Sequence, residues 1–114
     1  MTEQEITRLC EEAFPNLVER VYVQDPRRNR LRVDLVDGSF IDIHQNPGGR
    51  YSVHWQQHGK TYRFNNAPHW DEVETAPHHF HDADHSVHPS PITGITAQDV
   101  TTVLQFVSQQ IFNE

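Results

Sequence analysis

Residues 51–65 read YSVHWQQHGKTYRFN, and the fold turns on this stretch. Tyr51, Val53 and Trp55 alternate with Ser52, His54 and Gln56 until His58-Gly59 interrupts the pattern. Successive side chains of a strand point to opposite faces, so alternation broken by a tight turn predicts two antiparallel strands, the second over residues 61–65. By the same parity, Tyr62 and Phe64 join the apolar face and Arg63 the other. Working upstream, Asn46-Pro47-Gly48-Gly49 is a turn, residues 40–45 a strand, and Asp37-Gly38 a strong hairpin signal. Leu31, Val33 and Leu35 alternate with Arg32 and Asp34, giving another half-buried strand. The turn over residues 25–29 and a Val/Tyr-rich strand over 17–24 complete an antiparallel meander.

The flanks read as helices. Thr2 with Glu5 makes a capping box, and Ile6, Leu9, Cys10 and Ala13 then fall on one helical face until Pro15 stops the run. At the other end, Thr96 with Asp99 starts a helix whose stripe is Val100, Val103, Leu104, Val107 and Ile111. Between sheet and second helix, residues 66–93 are rich in proline and histidine and read as a long irregular segment. The expected fold is therefore α+β: a meander of about five strands, an N-terminal and a C-terminal helix packed on one face, and the long Pro/His-rich loop on the other. The 114 residues suit a single domain, 1–114.

Composition narrows the function. The formal charge is -7 with histidine neutral, yet residues 1–63 are balanced and residues 64–114 hold no Lys or Arg. Such a chain repels nucleic acid in general, while the crowded Arg27, Arg28, Arg30 and Arg32 can still grip phosphates locally. Nine histidines are far more than usual, and full protonation would turn -7 into +2. Steep pH dependence is expected between roughly pH 5 and 7.5, where histidine titrates. The single cysteine, Cys10, excludes an internal disulfide framework and a cysteine zinc site, and its place in the helical stripe makes it a core residue. No apolar run is long enough for a membrane span and no leader is evident, so a soluble, cytoplasmic protein is expected.

Parity places Arg32, His54 and Arg63 on the polar face of the sheet, and the irregular segment is expected to cross it. A floor of His and Arg beneath a lid of His and Glu is the candidate site. The blocks YSVHWQ at 51–56, YRFNNAPHW at 62–70, ETAPHHFH at 74–81 and VHPS at 87–90 resemble, in order and spacing, the TumE-like toxin family of prokaryotic toxin–antitoxin systems. The resemblance covers most of residues 30–110, with Trp70 standing where relatives carry a second histidine. It implies a small growth-inhibiting toxin and a cognate DNA-binding antitoxin as partner.

Three chemistries fit the residues. Metal-independent RNA cleavage needs a base, an acid and a cation at the phosphate; His54, Arg63, His69, Glu74 and His78 are the catalytic candidates, with Arg30, Arg32, Arg50 and Arg63 gripping the nucleic acid. That reading expects no cofactor. A metal-dependent hydrolase or nuclease would use a divalent ion, with His79, His81, Asp82 and His85 as candidate ligands, although no standard zinc spacing is present. A non-enzymatic binding module would present the acidic second half to a basic antitoxin surface. His44, His58, His85 and His88 are expected at the solvent-exposed surface, and homodimerisation is left open.

Overall fold

The computed structural model describes residues 1–68 and 72–112. Helix α1 (Glu3–Ala13) opens with the expected capping box: Glu5 N donates to Thr2 Oγ1 at 3.1 Å and Thr2 N to Glu5 Oε1 at 2.8 Å. Five strands follow, joined by tight turns: β1 (Val18–Asp25), β2 (Arg30–Leu35), β3 (Phe40–Gln45), β4 (Tyr51–Gln57) and β5 (Lys60–Asn65). Gly38 sits at φ +87° in the β2–β3 turn, where a side chain is strained. Helix α2 (Ala97–Phe112) is capped by the expected pair, with Asp99 N donating to Thr96 Oγ1 at 3.1 Å and Thr96 N to Asp99 Oδ2 at 3.0 Å.

Residues 66–93 depart from the expected loop. They supply two further strands, β6 (His79–His81) and β7 (Val87–Pro89), so the antiparallel sheet has seven strands in chain order rather than about five. Among the described residues, this segment extends the sheet sideways. The prolines that argued against strands stand at their margins. Pro77 lies just before β6, and Pro89 ends β7, an outer strand where no ladder donor is needed. Strands of three residues carry too little alternation to be seen as a pattern.

The register builds two apolar rows under the helices. One runs Val21–Val33–Ile41–Trp55–Tyr62, the other Leu31–Ile43–Val53–Phe64–Phe80. Both helices cover this face: Ile6 and Cys10 from α1 and Val100, Val103, Leu104 and Val107 from α2 belong to one core with these rows. Phe106 of α2 meets Trp55, Tyr62, Phe64 and Phe80 edge-on, with centroids 5.5–6.1 Å away. Such edge contacts add roughly 0.5–1.5 kcal/mol each beyond area burial. Trp55 is fully buried, and its indole N–H donates to Ser39 Oγ at 3.0 Å, so the polar tip of the ring is satisfied. Cys10 is buried as expected, and desolvation pushes its thiol up to about 11.

Candidate functional site

The opposite sheet face carries two polar rows, fixed by the same register. Side chains at direct cross-strand partners share a face and lie one strand spacing apart, about 4.8 Å. The first row is Tyr22–Arg32–Asp42–His54–Arg63–His81. The second is Arg30–His44–Ser52–Asn65–His79. The expected sharing of one face by Arg32, His54 and Arg63 therefore holds, and His54 and Arg63 are immediate neighbours.

Charge along the first row is unevenly committed. Arg32 Nε donates to Asp42 Oδ1 at 2.8 Å and Nη2 to Oδ2 at 3.0 Å, and its guanidinium lies 4.0 Å over the Phe40 ring. This fork ties Arg32 down rather than leaving it for a phosphate. Arg63, Arg30 and Arg50 form no ion pair with any described residue, and Arg63 is exposed. His54 is half-buried, and neither ring nitrogen bonds to a described residue; Nε2 is sealed from solvent. Burial holds its pKa below the ordinary histidine value, Arg63 pushes the same way, and Asp42 opposes them. At neutral pH His54 is an uncharged imidazole able to take a proton, next to an uncommitted cation.

Two clefts flank Arg63. The larger, about 500 Å³, is lined by His44, Asn46, Arg50, Ser52, His54 and Asn65 among others. The smaller, about 320 Å³, is lined by Thr61, Arg63, His81, Asp82 and His85. His54 and His81 thus stand on either side of Arg63, two strand spacings apart, roughly 10 Å between backbones.

The other expected residues are dispersed. His78 is not on this face: its Nδ1 lies 2.9 Å from the hydroxyl of Tyr51, whose side chain is buried on the helix side. Tyr51 in turn is desolvated and its phenol is raised to about 12 by burial and the nearby Asp99. Glu74 is exposed and makes no hydrogen bond or ion pair with a described residue. His69 lies outside the described residues, as does Trp70.

Of the candidate metal ligands, His81, Asp82 and His85 line the smaller cleft together, while His79 stands apart. His79 is fully buried, with Nδ1 2.9 Å from the Pro77 carbonyl oxygen and its ring edge-on to His81. His85 is an exposed turn residue at φ +71°. Among the described residues, donor atoms of Asp82, Asp84 and His88 converge within 4.8 Å, so Asp82 alone is shared with the expected set. Ser86 Oγ already bonds both Asp84 Oδ1 and His88 Nε2. His58, His85 and His88 are exposed as expected, but His44 is half-buried and lines the larger cleft. Sequence reasoning missed His44, Ser52 and Asn65 as site residues, although the parity that selected His54 also selects Ser52.

Residues 5–111, nearly the whole chain, match the family model described as Toxin TumE. The chain belongs to the TumE toxin family. No curated protein and no solved structure matches it. Membership in TumE supports a toxin role in a toxin–antitoxin system, which implies an antitoxin partner. No helix of the described residues is long and apolar enough to cross a membrane.

Proposed function

We propose that this TumE toxin inhibits growth by cleaving RNA without a metal ion at the His54–Arg63 face, and that a cognate DNA-binding antitoxin silences it. The observation that carries the reading is the uncommitted His54 imidazole, held neutral, directly beside the unpaired Arg63. His54 takes the proton from a ribose 2′-OH as that oxygen attacks the adjacent phosphorus. The new O2′–P bond forms as the P–O5′ bond breaks, and His81, across Arg63, gives a proton to the departing O5′. Arg63 binds the phosphate and neutralises charge that grows in the transition state. The products are a 2′,3′-cyclic phosphate and a 5′-hydroxyl. Loss of a positioned base or acid typically costs about 10²- to 10⁴-fold in rate.

The test is induced expression of wild type, His54→Gln and Arg63→Ala, with growth and cellular RNA integrity read together. Purified proteins are assayed in parallel on RNA oligonucleotides in chelator. Wild type should arrest growth and fragment RNA, and both variants should do neither while keeping a native circular dichroism spectrum. Persisting toxicity of His54→Gln with intact RNA would overturn the proposal, and activity lost only in chelator would favour a metal-dependent nuclease.

A further inference from the structure

The larger cleft gathers polar side chains that lack partners among the described residues. Elsewhere on that face several pair with one another: Arg20 with Asp34, Arg32 with Asp42, Thr61 with Gln56. In the cleft they do not. The His44 imidazole, the Ser52 hydroxyl and the Asn46 side-chain amide form no hydrogen bond with any described residue. Asn65 Oδ1 accepts from Ala67 N at 3.0 Å, and its amide nitrogen makes no such bond. His44 and Ser52 are half-buried there and Asn46 is exposed; half-buried polar groups without protein partners are those a ligand or water completes.

We propose that this cleft is a nucleobase subsite, holding one unpaired base of the RNA next to the scissile phosphate. The inference rests on the RNA reading of the His54–Arg63 face. Three features support it. His44, Ser52 and Asn65 are successive cross-strand partners on β3, β4 and β5, roughly 10 Å from end to end, a span that fits the edge of a flat heterocycle. The described lining contains Arg50 and Arg63 and no carboxylate, which suits the phosphate attached to such a base. His54 lies on the same wall, so a base seated here brings its own phosphate and ribose to the proposed chemistry. Unpaired bases are recognised through hydrogen bonds to their edges, and phosphate contacts set position without selecting sequence. Asn46, Ser52 and Asn65 are accordingly specificity-determining, while Arg50 grips the strand.

The experiment uses the full chain carrying His54→Gln, titrated in chelator with fluorescent homopolymeric ribo-oligonucleotides of the four bases. One base should bind at least tenfold better than the worst. Ser52→Ala or Asn46→Ala in that background should narrow the preference about fivefold at little cost to the weakest oligonucleotide. Arg50→Ala should weaken all four alike and reduce the log–log salt slope by about 0.7. Equal binding of the four, an unchanged ranking in both Ser52→Ala and Asn46→Ala, or equal displacement by a polyglutamate peptide would overturn the subsite. Base-selective binding by a chain whose wild type never cuts RNA would refute the cleavage reading and leave the subsite standing. Cutting by wild type with no base preference would do the reverse.

Discussion

The candidate site depends on a short piece of structure, and Phe80→Ala tests how that piece is held. His81 reaches Arg63 only because β6 pairs with β5 through three residues. A ladder so short cannot hold itself; the hairpin of β6 and β7 is fixed by Phe80, which packs 4.7 Å from Phe64 and 5.5 Å from Phe106, centroid to centroid. Removing a fully buried phenylalanine costs about 3–5 kcal/mol. Phe80 is partly buried, so the expected loss is about 2–3 kcal/mol. If the hairpin opens as its own unit, that loss raises its open population roughly 30- to 150-fold. Amide hydrogen exchange followed by NMR reads this directly. In wild type, amides of β6 and β7 should exchange faster than those of β3 and β4. In Phe80→Ala they should exchange roughly 30 to 150 times faster again, and the melting temperature should fall by roughly 6–15 °C. RNA cleavage should be lost while Trp55 still reports a buried indole. An increase in hairpin exchange below about tenfold, or wild-type hairpin protection equal to that of β3 and β4, would refute the reasoning.

Four other outcomes follow from particular contacts. Because His54 titrates below its ordinary value in the folded chain, the unfolded chain binds its proton first as pH falls below about 6.5. Unfolding free energy should therefore decline from neutral pH toward the lowered folded value; urea titrations should show a smaller decline in His54→Gln, and an identical one would refute the assignment. Among the three tyrosines, Tyr51 should ionise last, near pH 12, in ultraviolet difference titration, and Tyr51→Phe should abolish that step. Ser39→Ala leaves the buried Trp55 N–H without its acceptor and should cost about 1–2 kcal/mol by denaturant titration. Asp42→Asn frees Arg32 from its fork, so the log–log salt slope of RNA binding should steepen by about 0.7; an unchanged slope would mean that Arg32 does not reach the RNA.

Much of this architecture is legible in the sequence alone. The five longer strands, both capped helices and nearly every core residue follow from period-two and helical spacing. His54 and Arg63 were selected for the polar face by parity alone. β6 and β7 were hidden because three residues cannot display a period and because proline was read as exclusion rather than as a boundary. His78 was grouped with His54 on chemistry, yet a turn carries it to the Tyr51 hydroxyl on the other side of the sheet. His44 is expected at the solvent-exposed surface, although its even position in the alternation places it in the lining of the cleft.

The division is physical. Which face a side chain takes, and where a helix begins or a hairpin turns, are consequences of neighbours a few residues apart, so the sequence by itself determined them. The pairing of the short β6 with β5 brings His81 beside Arg63. That pairing comes with the packing of Phe80 on Phe64 and Phe106, contacts that local pattern does not encode. Only the tertiary structure could therefore decide that Asp42 takes up Arg32, that His54 is kept neutral and that Arg63, between two histidines, forms no ion pair with a described residue.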